Sequence, residues 1–250
     1  MGEKQLKIVF VTLAFAMLAA MLWISRDAGI SGDEEVHYKH SELVYNYFKT
    51  MGADQSALHT PNTHLQYYGQ AFDNIVTILI HWFNIEDVYG FRHLMCSLAG
   101  WLTIVITGLF AAYISGYGVA IVVLLLFAVS PSFLGHAQNN LKDIPFALAY
   151  IASIYYSIRV VFSENRYSKK DILFLVLSFA LAVGIRAGGF LVIFYFGFLL
   201  LLKTTFDFLQ KTQLNWKQLS NSALISVGIA LAGYLLGLVL WPFALQNPIV

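Results

Sequence analysis

The sequence is poor in charge and nearly devoid of cysteine. Only 12% of its 250 residues are charged, against 58% hydrophobic, and the mean hydropathy is +0.68. A soluble domain of ordinary composition carries about 25% charged residues. Half that supply cannot cover a water-facing surface, so much of this surface faces lipid. An excess of either sign is missing too: 15 Lys and Arg stand against 14 Asp and Glu. That balance excludes the basic face which nucleic acid would need as a partner. The single cysteine, Cys96, rules out an intramolecular disulfide and a thiolate metal cluster, and inside its apolar run it reads as a packing residue. His40, His59, His64, His81 and His93 show neither H-x-x-x-H nor H-E-x-x-H spacing, which argues against a zinc site. There is no P-loop, no G-x-G-x-x-G ahead of a helix and no nucleophile elbow.

Long apolar runs are what the chain has instead. Lys4 and Lys7 precede the first, residues 8–24. It exceeds a secretory h-region and no A-x-A site follows, so it reads as a retained anchor. Further runs cover 94–114, 119–134, 144–162 and 223–245, and one of 31 residues covers 172–202 with Arg186 near its middle. A single helix of that length would overshoot a bilayer. The glycines of Arg186-Ala187-Gly188-Gly189 predict a turn there, dividing the run into two short helices. Nine of the 15 cations fall in the N-terminus, 159–171 and 203–217. Placing all three segments in the cytoplasm requires an even number of crossings between them. The expected fold class is therefore an all-α polytopic helical bundle of about seven spans with a cytoplasmic N-terminus. The one long outer loop, 25–93, carries an amphipathic helix in the membrane interface, with Phe72, Ile75, Val76, Leu79, Ile80 and Phe83 on its apolar side.

With charge so scarce, polar clusters between spans are informative. Asp33, Glu34, Glu35 and His37 follow the first span. A carboxylate there can act as general base on an acceptor hydroxyl, or the cluster can be a solvated loop or a helix N-terminus, where acids favour the dipole. The second outer loop, 135–143, holds His136, Gln138, Asn139, Asn140, Lys142 and Asp143. These are suitable donors to phosphate or sugar hydroxyls, although Asp143 can equally cap the helix begun near Pro145. Arg186 either binds an anion at the membrane surface or reaches ordinary headgroups. Arg92 reads as an interface anchor.

In these features the chain resembles the polytopic glycosyltransferases that use polyprenyl-phosphate sugars, specifically the protein O-mannosyltransferase-like group, glycosyltransferase family 39. The resemblance is carried by Asp33-Glu34-Glu35-Val36-His37-Tyr38 in the first outer loop and by His59-Thr60-Pro61-Asn62-Thr63-His64 further along it. Ser130-Pro131 through Lys142-Asp143-Ile144-Pro145 and the closing Trp241-Pro242 and Asn247-Pro248 add to it. It implies transfer of a sugar, with inversion, from a polyprenyl phosphate to an acceptor protein, lipid or glycan. The reaction would take place on the outer face of the inner (cytoplasmic) membrane. It implies Asp33, Glu34 or Glu35 as the catalytic carboxylate, the register of the family's Asp-Glu pair being ambiguous here. Lys142 and Arg186 would hold the leaving phosphate, and His37, His136, Asn139, Asn140 and Asp143 would line the substrate. No nucleotide or other cofactor is required, and a divalent metal is compatible without being demanded. The family's members extend further, so residues 1–250 would be one transmembrane domain, the N-terminal part of that architecture. A secondary transporter and a non-catalytic membrane subunit are the competing classes.

Overall fold

The computed structural model describes residues 1–163, 168–210 and 216–248. Arg166 and Lys211, two of the cations used for the topology, lie outside them. Among the described residues the chain is helical throughout, with no strand. Helix α1 (Glu3–Ile24) leads into a loop region carrying α2 (Glu34–Lys49) and α3 (Ala71–Phe83). The bundle continues with α4 (Val88–Ser115), α5 (Tyr117–Ala128), α6 (Pro131–Asn139), α7 (Asp143–Val161), α8 (Lys169–Ile185), α9 (Phe190–Gln210), α10 (Trp216–Leu238) and α11 (Pro242–Gln246).

Four helical segments are long and apolar enough to cross a membrane: Glu3–Asp27, Val88–Ser115, Asp143–Val161 and Ala187–Gln210. A fifth forms if α5 and α6, bent by 74° at Pro131, make one crossing. The expected seven goes beyond this, because α8 has 17 residues and the apolar part of α10 is shorter still. The break at Arg186–Gly189 falls where the glycines predict it: α8 ends at Ile185, a single 3-10 turn covers Ala187–Gly189, and α9 starts at Phe190. Leu175, Phe179, Ala182 and Val183 recur at helical spacing along α8 and are fully buried. They make α8 the central helix, packed between α7 and α10.

The loop region is locked onto this centre by backbone contact. A Cβ on Gly69 would lie 1.8 Å from the carbonyl oxygen of Gly184, and one on Gly184 would lie 2.8 Å from that of Gly237. Asn74 Nδ2 donates to the Gly69 and Leu240 carbonyls at 3.1 and 2.8 Å, and Trp241 Nε1 donates to the Gln66 carbonyl at 2.8 Å. No side chain at Gly69 can be relieved by a rotamer change, since backbone is what it meets. Gly69→Ala should therefore cost about 1–3 kcal/mol, read as a lower midpoint of thermal unfolding in detergent; an unchanged midpoint would contradict the close approach.

Helix α3 exists as expected but is turned differently. Asp73, Asn74 and Thr77 are buried in the protein, whereas Ile75, Trp82 and Phe83 are exposed. The polar side that the pattern assigned to water satisfies partners inside the fold: Thr77 shares a 2.6 Å hydrogen bond with Ser41 of α2, and Asp73 meets Arg92 of α4.

Candidate functional site

A cavity of about 400 Å³ opens where the loop region meets the ends of α4, α6, α7 and α8. Asp33, Glu34, His37, His136, Asn139, Asn140, Lys142, Asp143 and Arg186, nine of the ten residues singled out from sequence, all border it. The tenth, Glu35, does not. It lies on the far side of the first turn of α2, exposed, in a 2.6 Å ion pair with Lys39.

The three consecutive carboxylates have three different surroundings. Successive helical residues project about 100° apart, so only one can face any given partner. Asp33 is the N-cap of α2, yet its side chain makes no capping hydrogen bond and is exposed at the cavity. Glu34 turns inward and is 3% exposed. Its oxygens accept from Arg92 Nε at 3.3 Å and pair with His93 Nε2 at 3.1 Å. Glu34 also borders the cavity, with its carboxylate already engaged by Arg92 and His93.

Arg92 is the largest correction to the sequence reading. It is no interface anchor but fully buried, with Nη2 donating to Asp73 Oδ1 at 2.7 Å. Its guanidinium also lies 5.2 Å from the centroid of the Tyr38 ring. Arg92 and Asp73 both border the cavity, and neither was singled out as a site residue. The signal for both was available: an aspartate within an apolar helix and an arginine at the head of an apolar span need a partner when no water is near.

The opposite wall comes from the α6–α7 turn. Asn140 Oδ1 accepts from the Asp143 and Lys142 amides at 2.8 and 3.3 Å in the turn that leads into α7, while its Nδ2 donates to Asp143 Oδ2 at 3.0 Å. Helix α7 accordingly begins at Asp143, and Pro145 sits in its first turn. Asp143 makes a close ion pair with Arg186. Lys142 Nζ stands 4.7 Å over the face of Tyr68. Asn139 ties this wall to the first loop by donating to the Gly29 carbonyl at 2.7 Å. His59 and His64, by contrast, do not border the cavity. Cys96 packs in the core beneath it. Among the described residues no cluster of three His, Cys, Asp or Glu side chains is placed to hold a metal ion.

Burial shapes the ionisation of the floor. It pushes the Asp73 carboxyl above the ordinary aspartate range, and the Arg92 guanidinium works against that push. Burial also lowers His37, an effect that nearby Asp73 offsets in part and Lys142 reinforces. His40, one turn further along α2, is lowered by burial to about 4. The unfolded chain thus binds a proton at His40 below about pH 6.5 that the folded chain refuses until about pH 4, so stability falls with pH across that window. The loss is about 3 kcal/mol at most. Thermal unfolding of His40→Gln between pH 7 and pH 4.5 should show a flatter pH dependence than wild type; parallel curves would count against the buried neutral His40.

Comparison with protein-family models, with characterised proteins and with solved structures yields no match for this chain.

Proposed function

We propose that this chain is a membrane glycosyltransferase that moves a sugar from a polyprenyl-phosphate donor to an acceptor hydroxyl. One observation carries the reading: an uncommitted carboxylate, Asp33, and two cations, Lys142 and Arg186, share one cavity at the end of a membrane bundle. In this reading Asp33 removes the acceptor proton as the acceptor oxygen bonds to the anomeric carbon. The bond from that carbon to the phosphate breaks, and its electron pair stays on the phosphate. A single displacement of this kind inverts the anomeric centre. Charge grows on the phosphate, and Lys142 and Arg186 are placed to stabilise it. Asp143 pairs with Arg186 at the cavity wall and gives it up to the incoming anion. His37, His136 and Asn140 supply hydrogen bonds to the donor, while Asn139 serves the wall itself. The site then lies on the outer side of the cytoplasmic membrane, with α8 and α10 completing seven crossings in the company of their neighbours.

The test is transfer of labelled sugar from a panel of polyprenyl-phosphate sugars by the purified protein in lipid. Wild type should transfer from at least one donor. Lys142→Ala should lower the rate by about 10- to 100-fold, and Glu35→Gln should stay within about twofold because its carboxylate serves only a surface pair. A wild-type protein silent with every donor and acceptor would sink the reading, and substrate uptake would then be measured instead, since buried charge in a membrane bundle also suits a transporter.

A further inference from the structure

We propose that Tyr68 is a positioning residue for Lys142: its ring seats the ammonium at the cavity wall, its charge uncancelled, for the phosphate of a bound lipid. The identity of that anion rests on the glycosyl-transfer reading; the seating of Lys142 does not. Lys142 Nζ stands 4.7 Å from the centroid of the Tyr68 ring, closer than the Arg92 guanidinium stands to Tyr38 or that of Arg186 to Phe146. An ammonium within about 6 Å of an aromatic face is drawn to it by the ring quadrupole.

Both ends of this contact are anchored in the backbone. Tyr68 closes the 3-10 turn Leu65–Tyr67, its amide donating to the Leu65 carbonyl at 2.9 Å. The next residue is Gly69, pressed against the Gly184 backbone. On the other side, the Lys142 amide donates to Asn140 Oδ1 at 3.3 Å, and the Lys142 carbonyl accepts from the Phe146 amide at 3.2 Å. Between these anchors the flexible element is the four-carbon stem of Lys142, and the ring fixes where its charge rests.

The kind of partner matters as much as its position. Among the described residues no carboxylate forms an ion pair with Lys142. Arg186, by contrast, is paired with Asp143, and Arg92 with Glu34 and Asp73. A carboxylate would neutralise the ammonium. An aromatic face carries no net charge and occupies one side of it, leaving N–H donors for an anion. Lys142 is thus the cation bordering the cavity whose charge is unmatched, and it helps to hold His37 below the ordinary histidine range. Tyr68 does not itself border the cavity, so it acts on a ligand there through Lys142. Seating a rotamer-rich side chain in advance removes an ordering cost from binding, a gain of about threefold to tenfold in affinity.

The first measurement is carbon-13 resonance of the full chain in lipid nanodiscs after reductive methylation of its lysines, a modification that keeps their charge. The Lys142 methyl signals are identified by their loss in Lys142→Ala. In wild type they should lie upfield of those of free dimethyl-lysine, shifted by the Tyr68 ring current. Tyr68→Leu should abolish the shift and Tyr68→Phe should restore it. Wild-type signals without the shift, or signals unmoved by Tyr68→Leu, would overturn the seating. The second measurement is binding of undecaprenyl phosphate and of undecaprenol to unmodified protein. Tyr68→Leu should weaken binding of the phosphate about threefold to tenfold and leave that of the alcohol unchanged. Tyr68→Phe should recover the phosphate affinity, and in a Lys142→Ala background Tyr68→Leu should have no further effect. The proposal is overturned by phosphate binding that Tyr68→Leu leaves unchanged or tightens, that Tyr68→Phe weakens as much, or that Tyr68→Leu weakens even without Lys142. A wild type that binds both lipids equally removes the phosphate assignment together with the glycosyl-transfer reading, and the methyl resonances then decide the seating by themselves.

Discussion

Asp33→Asn should lower sugar transfer by about 10²- to 10⁴-fold, the range associated with losing a general base, while leaving the fold intact. The carboxylate is exposed and makes no capping bond, and asparagine is an equally good N-cap. Nothing in the packing depends on its charge. The contrast with its neighbours is what makes the result diagnostic. Glu34 already serves Arg92 and His93, and Glu35 already serves Lys39. Glu34→Gln should therefore show its damage in unfolding as well as in rate, and Glu35→Gln in neither. Retained transfer in Asp33→Asn, beside a well-folded but inactive Glu34→Gln, would move the base to Glu34.

Arg92→Met should produce the largest loss of stability of any single substitution considered. Arg92, Glu34 and Asp73 are 0%, 3% and 1% exposed. Removing the cation strands two buried carboxylates, with His93 and the Ser31 amide beside one of them. Breaking a buried pair in this way costs about 3–5 kcal/mol. The protein should adjust by protonating Asp73, whose carboxyl burial already pushes upward. Adding Glu34→Gln and Asp73→Asn to Arg92→Met removes the stranded charge, so the triple variant should unfold at a higher temperature than Arg92→Met alone. If Arg92→Met unfolds at the wild-type midpoint, the buried charge cluster does not carry the junction between the loop region and α4.

Helical, membrane-embedded character follows from composition and run length alone, because neither depends on which helix touches which. The break at Arg186–Gly189 is equally local: paired glycines beside a charge end a helix whatever surrounds them. The polar cluster at 136–143 was also legible, since six polar side chains between two apolar runs have few places to go.

What sequence could not decide was direction. Asp33, Glu34 and Glu35 are equivalent as letters, and each projects about 100° from the next. Which of them meets the cavity, the buried arginine or the surface depends on how α2 lies against α3 and α4. The same holds for α3, whose polar residues look outward in the one-dimensional pattern and turn inward because Arg92 and Ser41 are there to receive them. Arg92 itself read as an anchor because the partners that make its burial tolerable are 58 and 19 residues away along the chain. Local chemistry determined which groups could act; only the packing of α2, α3 and α4 decided which of them are already engaged and which is left free at the cavity, because that depends on contacts no short window contains.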